Sequence, residues 1–268
     1  MIGKTTALLA AALLLAGCGE RTVQKPHTGL RVIAMAPNTA EILYALGLSN
    51  SVVGVSRFCS YPPDVTNKPS VGGLYDPNWE MIVALQPDFV IGLETQKEIE
   101  AQLKALGIGF IGVSHEHIAE ILQSILTIGK ACGAEAEAQK LFQTLEQTAA
   151  RRSIFSEHRK PTVLVCVGHD ESLSRMYVAA RGTFYDELIG LAGGTNACEN
   201  SDGYPEISPE GLAVMNPDVV IDILPNIGNF SSNAWKPYRA LAITNDYAWI
   251  PGPRFALLLQ DFAKAIHE

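Results

Sequence analysis

Two stretches decide the reading of this chain: NWEMIVALQPDFVI (Asn78–Ile91) and SPEGLAVMNPDVVI (Ser208–Ile221). Laid over one another they align without a gap and agree at Glu80/Glu210, Pro87/Pro217, Asp88/Asp218, Val90/Val220 and Ile91/Ile221. Each opens on residues suited to a helix start, runs through a short helix, stops at Pro-Asp and enters an apolar β-run. The helices upstream correspond as well, since Glu41 precedes the stop at Gly47 by the same interval as Glu187 precedes Gly193. A helix–Pro-Asp–strand unit that occurs twice predicts two lobes of similar build.

Reading outward, Arg31–Pro37, Ser51–Val55, Phe89–Ile91 and Gly109–Val113 have strand character, separated by helical segments at Thr39–Leu46, Trp79–Leu85 and Ile99–Leu106. The order returns at Thr162–Val167, Phe184–Ala192, Glu210–Met215 and Val219–Ile221. Strands alternating with helices point to an α/β fold with mostly parallel sheets. Glu116–His158 is almost wholly helix-forming, interrupted at Gly129 and Gly133. From Ala134 to His158 the chain lacks Gly and Pro, which predicts a rod of roughly 37 Å that could join the lobes as a stiff connector.

The chain has 268 residues, with 20 Lys+Arg against 28 Asp+Glu, a net charge of -8. An acidic surface is poorly suited to a phosphate backbone, so no nucleic-acid partner is expected. Apolar residues at 47% rule out intrinsic disorder. There is no GxSxG elbow, no GxGxxG after the first strand and no Walker A loop, which argues against an exported α/β enzyme with its active site at the lobe junction. A surface lipoprotein with no small ligand is the remaining bland reading.

Lys4 and the Ala/Leu-rich run Thr5–Gly17 have the anatomy of an export signal. The run ends in Leu15-Ala16-Gly17-Cys18, which looks like a bacterial lipobox, with Cys18 as the lipidation site. Polar residues from Gly19 to Gly29 read as a tether. The boundaries that follow are 1–17 signal, 18–29 tether, 30–131 N-terminal lobe, 132–159 connecting helix and 160–268 C-terminal lobe. Such a protein is exported and held at the membrane by acyl chains, on the periplasmic or extracellular face.

Taken in order, RVIAMAPNTAEILYALG (Arg31–Gly47), VVGVSRFCSYPP (Val52–Pro63), VGGLYDPNWEMIVALQPDFVI (Val71–Ile91), the GGTN run at Gly193–Asn196 and IPGPR (Ile250–Arg254) carry a resemblance. The chain resembles the substrate-binding lipoproteins of ABC importers for cobalamin, siderophores and haem, and the cobalamin type most of all. That resemblance implies two Rossmann-like lobes bridged by one long rigid helix, with a monomer holding a metal chelate in the cleft. It also implies a permease dimer with its ATPase subunits as partner, no resident cofactor and no enzymatic activity. Phe58 and Tyr204 match aromatic ligand-contact positions of the cobalamin-binding type, whereas Leu74, beside Tyr75, and Leu93 stand where that same type carries rings.

The candidate ligand contacts are Arg57, Phe58, Tyr75, Tyr204, Trp249 and Arg254. Flat rings in loops bury large area at little entropic cost, and the two Arg offer donors to a chelate's polar rim. A salt bridge within the protein is an equal reading for Arg254. Glu80 and Glu210 fit the helix dipole, and the resemblance implies that each meets an Arg on one permease subunit. His115 and His117 flank Glu116 without HExxH spacing, so no metal site is expected. Pairing among Cys59, Cys132, Cys166 and Cys198 stays open.

Overall fold

A computed structural model describes residues 29–150, 160–224 and 231–268. The expected signal, the lipidation site Cys18, most of the tether and the last part of the connecting helix lie outside the described residues.

In the N-terminal lobe, β1 (Val32–Ala34), β2 (Val52–Val55), β3 (Phe89–Leu93) and β4 (Gly109–Val113) form one sheet in the order β2-β1-β3-β4. All its pairings are parallel. The intervening helices are α1 (Pro37–Ala45), α2 (Trp79–Ala84) and α3 (Lys97–Ala105). In the C-terminal lobe, β5 (Thr162–His169), β9 (Val219–Ile223) and β10 (Arg239–Ile243) repeat the parallel arrangement of β1, β3 and β4. The short β7 (Thr195–Asn196) pairs parallel to the start of β5, where β2 pairs with β1. A departure follows: β6 (Met176–Val178) turns back antiparallel on β5 and pairs with β8 (Glu206–Ile207). The helices of this lobe are α6 (Phe184–Leu191), α7 (Pro209–Met215) and α8 (Phe255–His267).

The repeated Pro-Asp has a structural task that neither block reveals alone. Asp88 Oδ2 accepts from the Arg31 amide at 2.8 Å, and Asp88 N donates to Arg31 O at 2.8 Å. Asp218 treats Thr162 in the same way, with bonds of 2.7 Å and 2.9 Å. Each aspartate thus fastens the central strand of its lobe to the strand that follows the Pro-Asp turn. The chain reverses into each turn through Gln86 and Asn216, both left-handed with φ of 47° and 45°.

α4 (Ile118–Cys132) ends at Gly133, whose φ of 69° satisfies the left-handed cap, and α5 (Glu135–Ala150) then folds back against it. At Gly129 a Cβ would stand 2.2 Å from Ala138 Cβ, so only glycine lets the two helices approach this closely. The described connector is therefore anchored along α4, and it also touches α8 of the other lobe. About 24 Å of it is described as helix, and its stiffness comes from packing on both sides as much as from helicity.

The apolar residues fall into three clusters. One lies in the N-terminal lobe around Ile33, Ile82 and Leu103, and one in the C-terminal lobe around Leu164, Met176 and Trp235. The largest spans both lobes, joining Ile42, Leu43 and Ile125 to Phe184, Leu188, Phe255 and Phe262. Cys59, Cys132, Cys166 and Cys198 are all free thiols; three are buried, and Cys166 lies in β5 as expected.

Two substitutions test these points by urea denaturation. Asp88→Ala should cost about 1–2 kcal/mol, by stranding the Arg31 amide. Gly129→Val should cost about 1–3 kcal/mol through overpacking.

Candidate functional site

β1 leads into α1, and β6 into α6, and each of these helices sends a carboxylate toward the opposite lobe. This is why α1 buries polar residues, Asn38, Thr39 and Glu41, that a solvent-facing helix would expose. Arg254, at the start of α8, grips Glu41 with two bonds, Nε to Oε2 at 3.0 Å and Nη2 to Oε1 at 2.5 Å. The same guanidinium donates to both oxygens of Asp246 at 2.8 and 3.0 Å. The Arg254 side chain is only 11% exposed and that of Glu41 2%. Burial works against the charge on Arg254, but its hydrogen bonds to Glu41 and Asp246 outweigh that and raise its pKa further above the ordinary range.

Glu187 on α6 makes the reciprocal contact. Its Oε2 accepts from the Ile118 amide at 2.8 Å, and its Oε1 lies 2.8 Å from His117 Nδ1. A carboxylate only accepts, so Nδ1 carries the proton. Each lobe therefore sends a carboxylate from its first helix to the start of the other lobe's last helix. The Glu41 contact is buried, whereas the Glu187 contact is partly open to water. The loop that presents His117 is itself fixed by Glu120, whose Oε2 accepts from Ser114 Oγ, Glu116 N and His117 N.

The candidate ligand contacts singled out from the sequence lie in loops of both lobes and at the start of α8. Phe58 and Tyr75 occupy two loops tied together by Arg57, whose amide donates to Gly72 O at 2.8 Å and whose side chain pairs with Asp76. Arg57 also sits over the Phe58 ring at 5.4 Å. Gly73 makes room for the pair, because a Cβ there would strike both Asp76 and Arg57. Tyr75 is 71% exposed, and Phe58 and Tyr204 are about half exposed. Tyr204 meets Tyr185 edge to face at 6.4 Å. Burial, with a smaller contribution from Glu116 of the opposite lobe, raises the pKa of its hydroxyl. Phe58, Tyr75 and Tyr204 thus present exposed rings, and Arg57 keeps half its side chain exposed beside its partner Asp76.

Two expectations change. Arg254 has four of its five N–H donors engaged by Glu41 and Asp246, so its structural reading prevails over ligand contact. Trp249 is half-buried against the shared core and its indole N–H is buried without a partner among the described residues, so it is not an open ring platform. Tyr61 was not among the candidate ligand contacts, yet its ring lies 3.8 Å from the Arg254 guanidinium while remaining 41% exposed. It belongs to the N-terminal lobe and stacks on a cation of the C-terminal lobe. No group of three or more metal-ligating side chains occurs among the described residues.

A pH dependence follows from Glu120. The hydrogen bond from Ser114, helped by the Glu116 and His117 amides against a smaller burial effect, holds its carboxyl below the ordinary value. A depressed carboxyl contributes stability above the unfolded-state pKa of about 4.5 and loses it as pH falls through the lower folded-state value. Melting temperature measured from pH 7 to about 3 should fall on the acid side, and Glu120→Gln should flatten that limb.

With this geometry in hand, the chain was compared with known proteins. Residues 32–222 match the family described as periplasmic binding protein. An uncharacterized ABC transporter substrate-binding lipoprotein of Bacillus subtilis, YvrC, is 27% identical over 99% of this chain and 96% of its own length. A vitamin B12-binding protein of Vibrio cholerae is 27% identical over 84% of this chain and 82% of its own. Among solved structures, the periplasmic heme-binding protein RhuT of Roseiflexus superposes with a TM-score of 0.76 at 25% identity, covering 90% of this chain and all of that one. The chain belongs to the periplasmic binding protein family, and it is a binding protein rather than an enzyme.

Proposed function

We propose that this chain is the substrate-binding subunit of an ABC importer, capturing a corrinoid between its lobes and handing it to a membrane permease. The observation that carries the reading is the duplication: twin lobes, each with an exposed acid in the first turn of a short helix, meet at a seam beside which the rings of Tyr61 and Tyr204 stay exposed. Phe58, Tyr61, Tyr75 and Tyr204 supply flat apolar area suited to a macrocycle, and Arg57 a donor at its rim. Glu80 and Glu210, both exposed, dock on equivalent basic sockets of a two-fold permease dimer, which works with its ATPase subunits. The lipobox at Cys18 supports export and lipid anchoring outside the cytoplasm. Haem, or a ferric siderophore, is the second reading of the ligand, favoured by the superposition on a heme-binding relative.

A panel of cyanocobalamin, cobinamide, haemin and ferric siderophores, followed by thermal shift and tryptophan quenching, decides the ligand. A corrinoid should raise the melting temperature, by about 2.7 kcal/mol of stability at a hundredfold excess over Kd, and Phe58→Ala or Tyr204→Ala should weaken it about tenfold. A response to haemin or a siderophore alone replaces the ligand and keeps the role. No response to any chelate contradicts the role. Charge reversal at Glu80 and Glu210 together should abolish uptake and leave ligand affinity unchanged; uptake that persists contradicts the docking assignment.

A further inference from the structure

A buried cluster of polar groups lies in the C-terminal lobe, apart from the contacts that join the lobes. His169 ends β5, Asp222 lies on the neighbouring β9, and Trp235, further along the chain, meets both. The Asp222 side chain has no exposure and that of His169 only 9%. Asp222 Oδ2 lies 3.1 Å from His169 Nε2 and accepts from Trp235 Nε1 at 3.0 Å. The Trp235 ring stands edge to face on the imidazole at 5.6 Å. On the other side of the imidazole, Nδ1 lies 2.7 Å from the Asp170 carbonyl oxygen.

These contacts fix a proton count. A carbonyl oxygen only accepts, so Nδ1 carries a proton. The approach of Nε2 to Oδ2 needs a second proton between them, because two facing lone pairs repel. A neutral imidazole and an ionised carboxylate bring one proton in all, so the pair holds one more. Imidazole is the stronger base of the two, and Trp235 already donates to the same carboxylate oxygen, which places the extra proton on Nε2. Burial raises the pKa of Asp222, and the charge on His169 and the Trp235 hydrogen bond oppose it. Its second oxygen, Oδ1, is buried without a partner among the described residues, so the imidazolium is the charge that offsets its burial.

We propose that His169 and Asp222 form a buried proton-binding site, an imidazolium–carboxylate pair that locks the end of β5 to β9 and to Trp235. The groups around it do not compete for the proton. Burial, with a smaller push from Asp222, raises the Cys166 thiol of β5 to about 12, so it stays neutral. The Asp170 carboxylate is bonded to Ser172 and Ser174, and Arg175 is paired with Glu206. On the flanking strands, Met176 of β6 stands opposite His169 and Ala242 of β10 opposite Asp222, and neither titrates. β6 carries the restraint outward, since Met176 also pairs with Ile207 of β8, three residues after Tyr204. Loss of the proton at alkaline pH therefore loosens the strand pair that follows this ring.

Above about pH 6.5 an unfolded chain releases this proton, whereas the folded pair retains it. The stabilisation is thus complete below that pH and is lost as pH rises toward release from the pair. Urea unfolding of the full-length protein between about pH 7 and 9 provides the test. The unfolding constant should rise about tenfold per pH unit more steeply in wild type than in Asp222→Asn, which keeps the shape and removes the charge. Nitrogen NMR of the histidine side chains adds a measurement that needs no variant. At about pH 7.5 the His169 ring, assigned through its backbone, should carry protons on both nitrogens. Parallel unfolding profiles for the two proteins, or a His169 ring with a single proton, overturn the inference.

Discussion

The buried grip of Arg254 on Glu41 is the contact on which the arrangement of the lobes depends. Two charges removed from water are costly unless each is fully bonded, and here the carboxylate receives two donors while the guanidinium divides its remaining donors with Asp246. Breaking such a pair leaves an uncompensated charge inside the protein, at a cost of about 3–5 kcal/mol. The interaction is directional as well, so it fixes an angle between lobes that apolar packing alone would leave looser. Glu187 repeats the contact from the opposite direction at a more exposed place, where the energy is smaller and the geometric restraint remains.

On the proposed reading, the fixed seam has consequences for binding. Rings held on loops that are cross-bonded before any guest arrives lose little freedom on contact, which favours affinity for a rigid, flat ligand. Tyr61 shows the coupling most directly, since its stacking partner is the same Arg254 that orients the lobes. A fixed separation between lobes also keeps α2 and α7 at a fixed spacing, the condition for engaging a two-fold partner at both ends simultaneously. On that reading, stability, ligand capture and docking draw on one seam.

Much of this was legible in the sequence. The duplicated helix–Pro-Asp–strand blocks disclosed the two lobes, because a hydrophobic run of strand length after a helix stop has few other interpretations. The matching, exposed placement of Glu80 and Glu210 was legible for the same reason. The seam was not. Glu41 and Glu187 look like ordinary polar positions on amphipathic helices, and only the tertiary fold shows that their polar faces meet the other lobe. Arg254 stayed open between ligand contact and a salt bridge because an Arg in a loop carries no mark of its partner more than two hundred residues earlier. Trp249 failed similarly, since a loop aromatic reads the same whether it closes a core or lines a cleft. The antiparallel excursion of β6 escaped notice because a strand of three residues leaves too short a pattern to read.

The most direct measurement is a distance across the lobes. Spin labels at Leu106 and Tyr177, exposed residues of the N- and C-terminal lobes, placed in a background with the native cysteines replaced, report it by pulsed electron resonance. With the chelate that binds, the mean distance should change by no more than about 2 Å, while the combined Glu41→Gln and Glu187→Gln variant should broaden the distribution in the free protein. A wide displacement on binding in the wild-type protein, or an unchanged distribution in the double variant, would contradict a cleft set in advance by these two carboxylates.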